Sequence, residues 1–236
     1  MMIRYVSNAG IIFDGETKIG IDCLCKDKAT LYRDTPVEIL KEMKLDILIF
    51  THGHSDHFCA EYVDTVFEQN PQLQIYGTEE VIEILSKGNI PLQHLHVVQN
   101  GDVLEINKGN IQFLQSIHEG VEYTGVQNFT LLINKEDKHF VVTGDAAPTN
   151  ELFEQISAWS REIDCLFVPF PYVGLNSTRR LLCKHLDIRK IFAYHLPRTE
   201  ADAQGWIANT KRVCEQAKDG LPMPVFCEQV GKYYQL

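Results

Sequence analysis

Thr51-His52-Gly53-His54-Ser55-Asp56-His57 sets three imidazoles and a carboxylate within six consecutive positions, directly after the apolar run Leu45-Asp46-Ile47-Leu48-Ile49-Phe50. A short apolar run of this kind reads as a buried strand, so the polar chemistry begins where the strand ends. In an extended chain alternate side chains share a face. His52 and His54 can therefore point at one metal ion while Asp56 and His57 turn toward another. Imidazole and carboxylate suit Zn²⁺ and equally Mn²⁺, Fe²⁺ or Co²⁺, whereas a thiolate-rich structural zinc site needs cysteines that this segment lacks.

Upstream, Ile3 to Val6, Ile11 to Phe13 and Lys18 to Asp22 are short β-rich runs separated by Asn8-Ala9-Gly10 and Asp14-Gly15-Glu16 turns, which predicts an antiparallel meander. Thr35 to Lys44 reads as a helix with Thr35 as its cap, Pro36 first and Glu38 third, a capping-box arrangement. Downstream, strands are expected at Leu73 to Tyr76, His94 to Val98, Val103 to Ile106 and Ile111 to Ile117, with a helix over Glu79 to Ser86. Val126 to Ile133 and His139 to Thr143 flank the polar stretch Asn134 to Lys138 as a hairpin. Helices over Thr149 to Trp159, Thr178 to His185 and Ala201 to Lys218 then alternate with strands Cys165 to Pro169, Ile191 to Tyr194 and Val225 to Gln229. The expectation is a mixed α/β (α+β) chain with two sheets and helices outside them.

The 236 residues, 44% hydrophobic and 23% charged, read as one globular domain over 1–236. At this size roughly 70% of the unfolded chain's surface is buried on folding, so a core forms without a structural metal and any metal is functional. The 22 Lys+Arg against 32 Asp+Glu leave a net charge of −10, which disfavours nucleic acid and anionic membrane as partners. No apolar run reaches the length of a membrane span, and Met1 to Val6 shows no signal-peptide organisation, which predicts a cytoplasmic protein. The seven scattered cysteines contain no C-x-x-C pair and read as reduced, mostly buried thiols.

His52, His54, Asp56 and His57 match in full the H-x-H-x-D-H signature of the metallo-β-lactamase superfamily, which the chain resembles. The later matches come in the order that family requires. His118 follows Ile111 to Ile117, Asp145 follows Phe140-Val141-Val142-Thr143-Gly144, and His195 follows Ile191-Phe192-Ala193-Tyr194. The resemblance covers essentially the whole chain and implies a four-layer αββα sandwich. It further implies that His52, His54 and His118 hold one divalent ion, that Asp56, His57 and His195 hold a second, and that Asp145 bridges them. Zinc is the default for both, with manganese and iron fitting the same ligands. Two such cations support hydrolysis by a bridging hydroxide. Asp56 is then the residue expected to orient the water, and His195 the one that holds the leaving or oxyanion side.

Within the superfamily, flavodiiron oxidoreductases carry an acid where His54 stands and append a flavin-binding domain for which no residues remain. True class B lactamases lack the bridging aspartate. The long arm and basic surface of ribonuclease-Z-like nucleases are missing. The chain is most similar to the compact branch of ascorbate-phosphate lactonase-like hydrolases, which points to a small ester-like substrate: a lactone, phosphodiester or thioester. The alternatives are a ribonuclease-like phosphodiesterase and a metal-holding sensor without turnover; retention of all seven ligands favours an enzyme.

For the substrate, Arg198, three residues after His195, and Arg179 or Arg180, at the start of an expected helix, are candidates to hold an anionic group. A solvated helix face is the plainer reading of Arg179 and Arg180. Tyr194, Tyr172 and Tyr123 are candidates to hydrogen-bond an oxyanion, with packing the commoner role of such tyrosines. His94 and His96 read as alternation on an exposed strand face, and His139 and His185 as surface residues. Cys59 lies near enough to His57 in sequence to react under oxidation. Oligomeric state is left open, a homo-oligomer included.

Overall fold

The computed structural model describes residues 1–236 and divides into two compact units, Met1–Asn100 with Gln229–Leu236, and Gly101–Glu228. In the first unit, strands β1 (Met2–Tyr5), β2 (Ile11–Asp14), β3 (Ile19–Ile21), β4 (Ile47–Ile49), β5 (Gln74–Gly77) and β6 (Leu95–Val97) lie side by side in one sheet. The expected meander forms: β1 to β3 pair antiparallel. From β3 to β6 the pairing is parallel, because each of these connections carries a crossover helix. The helices are α1 (Val37–Glu42), α2 (Ala60–Gln69) and α3 (Glu79–Ser86). Leu48, Ile49, Val63, Val66, Val81 and Leu85 are fully or almost fully buried, so strand β4 and the apolar stripes of α2 and α3 supply much of this unit's core.

In the second unit, β7 (Val103–Ile106), β8 (Gly109–Ile117), β9 (Gln127–Lys135) and β10 (Lys138–Val142) form antiparallel neighbours. After helix α4 (Asn150–Trp159) come a two-residue strand β11 (Glu162–Ile163), β12 (Cys165–Pro169), helices α5 (Pro171–Gly174) and α6 (Asn176–His185), β13 (Asp187–Ile188) and β14 (Ile191–Tyr194). Helix α7 (Trp206–Gln216) leads to β15 (Val225–Phe226). β10, β12, β14 and β15 are parallel, so this unit too has a seven-stranded sheet, half antiparallel and half parallel. The last strand of the chain, β16 (Tyr233–Gln235), pairs antiparallel with β1 in the first unit. No helix is long and apolar enough to cross a membrane.

Three local expectations need correcting. Thr35 does not cap α1: its Oγ1 accepts from Cys25 N at 3.0 Å and donates to Cys23 O at 2.8 Å, and the helix starts behind Pro36 with no side-chain cap. The β9–β10 loop is shorter than the five polar residues expected. Lys135 pairs with Lys138, leaving Glu136 and Asp137 at φ 53° and 58°, the left-handed pair of a type I′ turn matched to strand twist. Helix α7 begins at Trp206, not Ala201, because Asp202 accepts from Trp206 N and Ile207 N at 2.7 and 3.2 Å and so marks its true start. Helix α2 and strand β16 had no expectation at all. In α2 the β-branched Val63, Thr65 and Val66 blur the helical signal, and β16 is short and largely exposed.

Candidate metal centre

Four of the seven ligand candidates stand at or just beyond a strand's C-terminal end, His52 after β4, His118 after β8, Asp145 after β10 and His195 after β14, and His54, Asp56 and His57 follow His52 in the next turn. In the first unit the chain turns at His54, whose carbonyl accepts from His57 N and Phe58 N at 2.9 and 2.8 Å. The turn gathers the side chains. The His52 ring centroid lies 4.8 Å from that of His54 and 4.1 Å from that of His57, and His57 Nε2 is 3.7 Å from Asp56 Oδ2.

His52 and His57 are completely buried, and a buried imidazole needs partners for its ring nitrogens. His57 Nδ1 donates to Asp22 Oδ2 at 3.0 Å. Thr51 Oγ1 donates to the same oxygen at 2.6 Å and therefore accepts from His52 Nδ1 at 3.0 Å. With the hydrogen on Nδ1, the lone pair of each neutral ring is on Nε2. Asp22 thus fixes the tautomer of two histidines, one directly and one through Thr51. It also accepts from Thr51 N at 2.8 Å and sits at φ 46°, a region that aspartate enters more readily than most residues. Asn8, also fully buried, donates from Nδ2 to Asp56 Oδ2 at 3.0 Å and to Asp56 O at 3.3 Å, which sets the carboxylate's orientation.

In the second unit His118 Nδ1 donates to Glu119 O at 2.7 Å, again leaving the lone pair on Nε2. Asp145 Oδ2 lies 3.2 Å from His195 Nε2 and 3.9 Å from His118 Nε2, so one carboxylate oxygen faces both histidines. His195 is held at φ 58°, a strained conformation for a non-glycine residue that costs of order 1–3 kcal/mol. The loop bearing Asp145 is pinned at each carbonyl. Thr143 O accepts from Asn128 Nδ2 and Thr130 Oγ1, Gly144 O from Tyr194 Oη at 3.2 Å, Asp145 O from Glu119 N at 2.7 Å, and Ala146 O from Tyr172 Oη. Asn128 Oδ1 accepts from Asp145 N at 3.1 Å. Burial, reinforced by the Asp145 carboxylate, pushes the Tyr172 phenol well above its usual range and keeps it a donor.

Of the residues singled out for substrate, Arg179, Arg180 and Tyr194 are engaged in contacts within the protein. Arg179 is buried, and its Nε and Nη2 grip the two carboxylate oxygens of Asp219 at 2.6 and 2.8 Å while Nη1 donates to Val173 O; it is a structural ion pair. Arg180 Nε bonds Asn176 O in its own helix. Tyr194 is fully buried and its hydroxyl serves the Asp145 loop. Arg198 is half-buried. His94 and His96 share the Gln74 amide, at 3.0 and 2.8 Å. His185 is not a surface residue: it is buried and its Nε2 donates to Asn150 Oδ1 at 2.9 Å. His139 is half-buried against Ser160 Oγ. All seven cysteines are free thiols. Burial raises the Cys59 thiol and pushes Cys165 up to about 11, which lowers their reactivity.

Sequence reasoning missed Asp22, Thr51, Asn8 and Asn128. Asp22 and Thr51 follow strand ends, Asn128 lies inside β9 and Asn8 in the β1–β2 turn; the role of each depends on partners brought near by folding, so no local spacing marks it. The one available signal was an aspartate closing the apolar run Ile19 to Ile21.

A family model described as the beta-lactamase superfamily domain matches residues 17–196. The chain is 25% identical over 147 residues to the metal-dependent hydrolase YtkL of Bacillus subtilis, a match that takes in 58% of this chain and 60% of that protein's length. Among solved structures, Igni18, a metallo hydrolase of Ignicoccus hospitalis, superposes with a TM-score of 0.70 at 16% identity, covering 100% of this chain and 98% of its own. The metallo-beta-lactamase fold protein YhfI of Bacillus subtilis gives a TM-score of 0.68 at 18% identity, covering 99% and 98%. At these identities the structures show a shared fold.

Proposed function

The chain belongs to the beta-lactamase superfamily, and from that premise we propose that it is a dinuclear metal-dependent hydrolase acting on a small ester-like substrate, a lactone, thioester or phosphodiester. In this reading His52, His54 and His118 hold one divalent ion, Asp56, His57 and His195 the other, and Asp145 is shared, with zinc as the first expectation and manganese or iron as substitutes. The observation that carries it is the hydrogen-bond pattern of the histidines. His52, His57 and His118 each have Nδ1 tied to an oxygen, which puts the lone pair on Nε2, the pattern usual for metal-bound histidines. A donor set of imidazoles and carboxylates without thiolate fits two hard or borderline cations.

When bound, the ions supply Lewis acidity and lower the pKa of water into the neutral range. The protein supplies orientation. Asn8 holds Asp56 by one carboxylate oxygen, which fits Asp56 to take the proton of the attacking water. His195, fixed in its left-handed conformation, is the proposed partner of the oxyanion or leaving group. The pinned loop keeps Asp145 in place without reorganisation during turnover.

The test is turnover of a panel of lactone, thioester and phosphodiester substrates by metal-loaded protein, beside a chelated sample and Asp145→Ala. Metal-dependent turnover of one class, abolished in both controls, is the expected result. Undiminished turnover in the chelated sample would sink the proposal.

A further inference from the structure

The turn that follows His118 carries its apolar side chains outward. Val121 is 89% exposed and Tyr123 40%, and the Tyr123 ring stands edge-on to His118 with centroids 5.0 Å apart. Single exposed apolar residues are ordinary; here Val121 and Tyr123 stand two positions apart in one turn, and the Tyr123 ring lies against a ligand candidate. The segment is held firmly. Ala147 N donates to Ile117 O and Glu119 N to Asp145 O, both at 2.7 Å, and Tyr123 N and Val126 N close the turn on Gly120 O and Tyr123 O at 3.0 and 2.9 Å. Gly120 lies at φ 96°, and a Cβ there would come within 2.9 Å of Tyr123 Cδ2, so glycine is what lets the ring pack against the turn. The charges alongside, Glu119 and Glu122, are both acidic, and no lysine or arginine occurs from Gln115 to Val126.

We propose that Val121 and Tyr123 form a specificity lip for the uncharged alkyl or aryl arm of the substrate. This rests on the dinuclear-hydrolase reading and narrows it. Acidic neighbours repel an anionic arm, so the lip selects a carboxylic ester, lactone or thioester with an apolar acyl or alcohol portion over a phosphodiester. The contact is one-sided, and the arm lies along the lip while the reacting carbonyl stays at the metal end, beside His118.

Hydroxamates test this by binding alone, since their metal-chelating head can be kept constant while the tail is lengthened. Acetohydroxamate and octanohydroxamate are titrated into zinc-loaded protein by calorimetry. Octanohydroxamate should bind at least about ten-fold more tightly, a fraction of what full burial of six methylenes would give. In Val121→Asp this preference should collapse to less than about three-fold with the acetohydroxamate affinity unchanged, and Val121→Ala should fall between. Equal affinities in the wild type, or a preference that survives in Val121→Asp, overturns the lip while the metal centre stands. Failure of both hydroxamates to bind overturns the lip together with the reading it rests on.

Discussion

The carboxylate of Asp22 accepts the Nδ1 hydrogen of His57 at 3.0 Å, and through Thr51 it also governs His52. By the proposed assignment these histidines serve different ions. One buried carboxylate from the end of β3 therefore sets the donor atom at both, which makes it the most economical place to perturb the centre without removing a ligand.

Asp22→Asn keeps a side chain suited to φ 46° and an acceptor for Thr51 N, but removes the charge that holds Nδ1 protonated. Metal affinity should fall by about 10–100-fold, read by competition with a chromophoric chelator, while the circular dichroism spectrum is retained. An affinity equal to wild type would contradict the orienting role.

Tyr194→Phe deletes the hydrogen bond to Gly144 O and nothing that the reading assigns to substrate. The expected cost is about 1 kcal/mol of stability, measured by urea unfolding, with metal content unchanged. A loss of substrate binding without loss of stability would return Tyr194 to the substrate.

Hydrogen bonds from Arg179 hold the Asp219 carboxyl below the usual carboxylate range. The folded state thus binds fewer protons than the unfolded chain, whose aspartates titrate near about 3.9. The pair's contribution is full above that pH and disappears as the pH falls through the lowered folded value. Arg179→Leu should destabilise by about 1–2 kcal/mol at neutral pH, discounted for the partial exposure of Asp219, and by less in acid. Melting temperatures from pH 2 to 7 test this; a constant difference across the range would be the contrary result.

Glu136 and Asp137 occupy left-handed positions that cost non-glycine residues roughly 1 kcal/mol each. Replacing them with Asn-Gly should therefore raise stability by about 1 kcal/mol, seen as a higher urea midpoint with an unchanged slope. No gain would mean that the turn is not type I′.

The parts of the fold that were legible share one property: a local pattern dictated by burial. Ile191 to Tyr194 and Cys165 to Pro169 are short apolar runs and emerged with their expected bounds, as did α3, whose cap Thr78 accepts from Val81 N. Thr35 failed as a cap because two carbonyl and amide groups of a distant segment, Cys23 and Cys25, compete for its hydroxyl. His52, His118, Asp145 and His195 stood out in the sequence because each follows an apolar run that the structure shows as a strand, and all seven candidates fall into two side-chain clusters. Asp22 and Asn8 did not stand out, since only tertiary contact distinguishes them from turn residues. Arg179 was misplaced for a related reason: its partner Asp219 lies 40 positions away.

The most direct test of the account is the metal content of purified protein, reconstituted with zinc and measured by inductively coupled plasma mass spectrometry beside His118→Ala and Asp145→Ala. The account requires two equivalents per chain in the wild type and a clear loss in both variants, with folding intact by circular dichroism. Wild-type protein that binds no metal, or variants that keep the full complement, would contradict it.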